Sequence, residues 1–127
     1  MPLNRISTVA IVDDDPAVLE SLEFMLQVAG YRVAAYGSAV LFIEDHMTRA
    51  ACLILDLHMP QMTGLDLATR LRDEGRSIPI LLVTGMPDSK VMADAARVGI
   101  EKVIEKPPTE DDLLSFVAAH VQEADQP

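Results

Sequence analysis

The chain has 127 residues, half of them hydrophobic and only 4% aromatic, with 20 acidic residues against 10 basic ones. That length suits one domain with an aliphatic core, and a formal charge of -10 argues against sequence-independent binding to nucleic acid or anionic lipid, which needs basic patches. Nothing approaches the roughly 18 apolar residues of a membrane span, and Asp13 interrupts the first apolar stretch too early for a secretory signal, so a cytoplasmic protein is expected.

Strand-like and helix-like patterns alternate five times. Thr8-Val-Ala-Ile-Val12 reads as a first buried strand that stops at Asp13-Asp14. An Asp N-cap and Pro16 then open a helix carrying Val18, Leu22, Met25, Leu26 and Ala29, which Gly30 ends. Residues Tyr31 to Tyr36 form a second strand, and Gly37-Ser38 turns into a short helix through Phe42 and Ile43. The third strand, Cys52-Leu-Ile-Leu55, stops at Asp56; a loop through Gly64 leads to a helix with Leu65, Leu67, Ala68 and Leu71, closed by Gly75. Ile80-Leu-Leu-Val83 ends at Thr84, followed by a weakly apolar helix over 89–98 and Gly99. The fifth strand, around Val103-Ile104, ends at Lys106. After Pro107-Pro108, Thr109 and Asp112 read as a capping box for a last helix that buries Leu113, Leu114, Val117 and Val121. Five such units imply an α/β fold, a parallel sheet with helices on both faces. The last six residues read as a fraying tail or the start of a linker.

In open parallel sheets ligands bind at the carboxyl edge of the strands. Asp13, Asp14, Asp56, Thr84 and Lys106 all fall there, so they are expected to form one site. Neighbouring strands lie about 5 Å apart, and carboxylates held so close repel unless a cation neutralises them. Mg²⁺ suits such a set, because it takes hard oxygen ligands and shares phosphate oxygens. Lys106 can approach as a point charge and Thr84 as a hydroxyl donor, completing the parts of an aspartyl-phosphate site. Singly, each has a plainer role: N-cap for Asp14 or Asp15, turn residue for Asp56 or Thr84, solvated charge for Lys106. Cys52, inside an apolar strand, reads as a buried small hydrophobe, and His46 and His120 as helix-surface residues.

In Ile11-Val-Asp-Asp-Asp-Pro16, Leu55-Asp-Leu-His-Met-Pro60 with Gly64, Val83-Thr-Gly85 and Glu105-Lys-Pro107, the chain resembles the receiver domain of two-component response regulators over essentially its whole length. Ser21-Leu-Glu-Phe-Met-Leu26 and Ile104-Glu-Lys-Pro107 look most like receivers of nitrogen-fixation regulators. The resemblance implies a flavodoxin-like, doubly wound sheet of order 2-1-3-4-5 with five helices, as a single receiver domain over 1–127. It implies Asp56 as phosphoacceptor and Mg²⁺ on Asp13, Asp14, Asp56 and the backbone carbonyl of His58, with Asp14 and Asp56 binding directly. Thr84 would turn toward the phosphoryl group, Lys106 would pair with it, the Lys106-Pro107 bond would be cis, and Gly85 would leave the pocket open to a donor. The implied partner is a histidine kinase or phosphotransfer protein, with self-catalysed transfer and slow hydrolysis in place of metabolic catalysis. Output to an effector, or pairing with a second copy, would use residues 91–121, with Val91, Ala95, Lys102 and Phe116 as candidates to line that face.

The chain departs from the pattern at Val103, where an aromatic residue is usual, and at Pro108, where Phe is frequent in receivers of this type. A stiff β-branched side chain does not swing as a ring does, so activation is expected to run through backbone and loop shifts, or to couple weakly to the last helix. Met86 and His58, two residues after Thr84 and Asp56, occupy positions that tune phosphate lifetime in such receivers, and the bulk of Met86 points to slow or moderate hydrolysis. Two other readings compete: a haloacid-dehalogenase-like phosphatase using Asp13, and a phosphorylation-independent binding module. The first leaves Asp56 without a role.

Overall fold

A computed structural model describes residues 8–45 and 49–121. His46 and the tail from Gln122 lie outside the described residues. The strands are β1 (Thr8–Val12), β2 (Arg32–Tyr36), β3 (Ala50–Asp56), β4 (Ile80–Thr84) and β5 (Lys102–Glu105). The helices are α1 (Pro16–Val28), α2 (Ala39–Glu44), α3 (Gly64–Asp73), α4 (Ser89–Arg97) and α5 (Glu110–His120). All strand pairs are parallel, in the order β2-β1-β3-β4-β5, as the doubly wound reading requires. Among the described residues no helix is long and apolar enough to cross a membrane.

The sheet separates two aliphatic cores. Alternate strand residues face opposite ways: Ala10, Val12, Leu53, Leu55 and Leu82 pack under α3, while Val9, Ile11, Ile54, Leu81 and Val83 pack with Leu113 and Val117 of α5. Burial on both faces explains why the strands are apolar runs without alternation.

Local chemistry sets the helix ends. The Asp15 carboxylate accepts from the Ala17 and Val18 amides with Pro16 at the first helical position, and Gly30, Gly75 and Gly99 close α1, α3 and α4 with left-handed φ of 102°, 80° and 69°. α3 opens with a full capping box between Thr63 and Asp66 that the sequence reading passed over. At Thr109 only the forward half forms: Oγ1 accepts from the Asp112 amide, and α5 stops at Val121 as its cap.

Several expectations need correction. Ala95 and Phe116 do not line an exposed face. Ala95 is 1% exposed beneath α4 and Phe116 5% exposed beneath α5, because both fall on the core-facing stripe of their helices. His120 is not a plain surface residue either: Nε2 lies 2.9 Å from Glu101 Oε1, and its ring tilts against Phe116. Val18 of α1 and its cap residue Ala29 are exposed, and the core contact runs through Leu19, Leu22, Met25 and Leu26.

Candidate functional site

Register brings the polar strand ends level. Val12 of β1 pairs with Leu55 of β3, so Asp13 and Asp56 are the next residues on adjacent strands. Asp56 pairs with Val83, which puts Thr84 one step further, and Thr84 pairs with Glu105 immediately before Lys106. Each strand end is fastened beyond its last ladder position: Asp13 N donates to Tyr36 O at 3.1 Å, Leu57 N to Val83 O at 3.0 Å and Lys106 N to Thr84 O at 2.9 Å.

Asp13, Asp14 and Asp56 each offer a carboxylate oxygen, and these atoms lie within 4.8 Å of one another. Asp13 and Asp56 are 5% and 3% exposed, whereas Asp14 is open to solvent. Asp13 Oδ1 accepts from Asp15 N at 2.9 Å, which orients the carboxylate while Asp15 itself caps α1. Lys106 reaches in from the fifth strand and places Nζ 2.6 Å from Asp56 Oδ1. At that distance the contact is a short, largely buried ion pair. Lys106-Pro107 is cis, as the resemblance implied.

The charges perturb one another. Burial raises the Asp13 pKa above 3.8, and the Asp56 charge adds to it; the Asp15 amide and Lys106 hold it back. Burial works against the Lys106 ammonium, but pairing with Asp56 and attraction to Asp13 and Asp14 outweigh it, so its pKa is raised. Three acids against one lysine leave a net negative pocket. A hard cation fits this all-oxygen set, whose three carboxylates each bring an oxygen within 4.8 Å of the others. Such an ion would supply positive charge for phosphoryl oxygens, and Asp13, Asp14 and Asp56 are the side chains able to hold it.

Thr84 is fully buried, and its Oγ1 accepts from Met86 N at 3.1 Å. Met86 is 66% exposed at the rim, and the His58 side chain is exposed. A Cβ on Gly85 would meet nothing within 4 Å, so open space lies beside Gly85 at the rim.

Two features escaped the sequence reading. Gly64 permits the first turn of α3 to lie against the Asp56 peptide: a Cβ there would sit 2.5 Å from Asp56 O and 3.1 Å from Leu57 Cα. The intervening loop turns at Gln61, left-handed at φ 71°, with Met62 N bonded to Pro60 O at 2.7 Å. A cavity of about 400 Å³ is lined by Val18 and Leu22 of α1, by Val83 and Pro108, and by Asp13 and Asp56. Pro108 thus borders the site itself.

Sheet order and pocket together define a doubly wound α/β domain with an acidic, lysine-paired site at its carboxyl edge. Residues 9–118 match the family model of the response regulator receiver domain, and the chain belongs to that family. It is therefore a two-component signalling domain and not a conventional enzyme. The chain is 36% identical over 124 residues to response regulator protein TodT of Pseudomonas putida, covering 97% of this chain and 55% of that protein. It is 39% identical over 101 residues to transcriptional regulatory protein FixJ of Rhizobium meliloti, covering 79% of this chain and 50% of that one. The crystal structure of FixJ-N superposes with a TM-score of 0.80 at 34% identity, covering 88% of this chain and 90% of that chain. The low-resolution structure of response regulator StyR gives 0.81 at 33% identity, covering 94% of this chain and 62% of that chain. The chain spans about half the length of the curated relatives it matches.

Proposed function

We propose that Asp56 accepts a phosphoryl group from a phosphohistidine on a histidine kinase or phosphotransfer protein, within a single receiver domain over residues 1–127. The observation that carries this reading is the setting of Asp56: 3% exposed, central in the sheet, beside two other carboxylates and 2.6 Å from an ammonium.

An Asp56 oxygen attacks phosphorus, the P–N bond to the donor imidazole breaks, and the ring leaves with its electron pair. Lys106 turns from the carboxylate toward the new phosphoryl oxygens, and Thr84 donates its hydroxyl to one of them. Mg²⁺ on Asp13, Asp14, Asp56 and the His58 carbonyl would offset charge that Lys106 alone cannot. The product adds about -1.5 to -2 charge at the strand ends. That change shifts a surface within 91–121 toward an effector, an attached output domain or a second copy of the chain. Lys102 and the half-buried Val91 are placed to line it, whereas Ala95 and Phe116 face the core.

The phosphatase reading would place the nucleophile on Asp13 and leave the Asp56–Lys106 pair idle. Acetyl phosphate with Mg²⁺, followed by peptide mapping of the acyl phosphate, separates the two. A label on Asp56 that Asp56→Asn abolishes is expected; a label on Asp13 that survives Asp56→Asn would overturn the proposal.

A further inference from the structure

β4 delivers Thr84 to the site and continues through Gly85, Met86 and Pro87 directly into α4. The upper end of this crossing is lightly held. Met86 N donates to Thr84 Oγ1 at 3.1 Å, Asp88 N donates to Met86 O at 2.8 Å, and Asp88 caps the helix through the Val91 amide. Gly85 and Met86 are both exposed, and Ala95 is the one residue that α4 buries fully.

The lower end is held differently. Arg72, in the last turn of α3, donates Nε to Val98 O at 2.8 Å and Nη2 to Gly99 O at 3.0 Å. Its Nη1 donates to Arg76 O at 3.1 Å and to Ile78 O at 2.9 Å. One planar cation thus bonds four carbonyls: two at the C-terminus of α4 and two on the approach to β4. The C-terminal carbonyls of a helix carry its negative pole, which favours a cation there, and the rigid guanidinium fork satisfies several acceptors at once. Gly99 takes the left-handed φ of 69° that ends the helix beside this contact.

We infer that Arg72 is a positioning residue of the switch, fixing the C-terminal end of α4 so that phosphorylation swings its N-terminal half about Val98–Gly99. The inference rests on the phosphoacceptor reading. When the Thr84 hydroxyl turns to a phosphoryl oxygen, the Met86 amide loses its acceptor and the crossing at 85–88 is released. The far end of α4 has no such link to the site. Its amides bond locally, Val98 N and Ile100 N to Ala95 O and Gly99 N to Ala96 O, under the Arg72 fork. Val103, without a ring to rotate, leaves this crossing as the route from Thr84 to the surface.

Hydrogen exchange read by mass spectrometry on the full chain, with Mg²⁺ and with or without beryllofluoride, tests the inference. In the wild type, beryllofluoride is expected to change exchange at residues 86–93 at least tenfold and to leave 96–100 unaltered. In Arg72→Met, residues 96–100 should exchange at least tenfold faster without beryllofluoride, and the beryllofluoride effect should spread through them. Arg72→Lys, a milder change that keeps the charge without the fork, should fall between. Wild-type changes at 96–100 as large as those at 86–93, or unchanged exchange there in both variants, would overturn the hinge. Absence of any beryllofluoride effect around Asp56 would contradict the phosphoacceptor reading instead, and exchange in the free Arg72 variants would still decide whether the clamp holds the helix end.

Discussion

Asp13 is the residue whose replacement should reveal the electrostatic cost of the site. Two unit charges at 4.8 Å, the bound within which the three carboxylate oxygens lie, repel by roughly 3.5 kcal/mol at an effective dielectric of about 20. The Asp13–Asp56 pair is buried and feels most of this, while repulsion from exposed Asp14 is largely screened. Asp13→Asn removes that repulsion and the burial of one charge, forfeits the attraction of Lys106, and keeps an amide oxygen to accept from Asp15 N. The net effect expected without metal at neutral pH is a stabilisation of about 1–3 kcal/mol, or about 1 M in the urea midpoint. The pH dependence carries a sign. The folded pKa of Asp13 is raised, so its contribution to stability is whole below 3.8 and is lost as pH rises through the folded value. Metal-free wild type should lose stability over that window, and Asp13→Asn should lack this loss. With Mg²⁺ the gap narrows: the wild type gains about 2.7 kcal/mol at roughly a hundredfold excess over Kd, and the variant gains less. Urea unfolding in EDTA and in Mg²⁺, at several pH values, measures all of this. Destabilisation of Asp13→Asn in EDTA at neutral pH would refute the reasoning.

Gly64→Ala should cost about 1–3 kcal/mol in urea unfolding and weaken beryllofluoride binding, because its Cβ meets backbone at 2.5 Å and the Asp56 peptide must shift. The Cys52 thiol, pushed up to about 12 by burial, should resist a disulfide reagent at pH 8 in the native protein and react at once in denaturant. Amide shifts of α5 should change little when beryllofluoride binds, because Val103 carries no ring between Thr84 and that helix; large changes over 110–120 would contradict this.

Strand ends were the most legible part of the sequence, because an apolar run stopped by a charge records both burial and the sheet edge. That rule places Asp13 and Asp56 at the edge directly, and Thr84 and Lys106 follow from the ends of the next two apolar runs. Helix faces were harder to read. Ala95 and Phe116 were assigned to a surface by their elements, whereas their phase on α4 and α5 turns them inward. The Arg72 clamp joins α3 to carbonyls 26 and 27 residues away, and a sequence lists no backbone acceptors. Gly64 looked like a loop end; only the packing of α3 over the Asp56 carbonyl shows that a methyl has no room there. The Thr63–Asp66 capping box was present in the sequence and was simply outweighed by the motif beside it.

The most direct test is a high-resolution structure with Mg²⁺ and beryllofluoride. Beryllium bonded to an Asp56 oxygen, the metal shared among Asp13, Asp14 and Asp56, and Thr84 Oγ1 and Lys106 Nζ bonded to fluorine are expected. Beryllofluoride seated on Asp13, or metal held away from Asp56, would contradict the account.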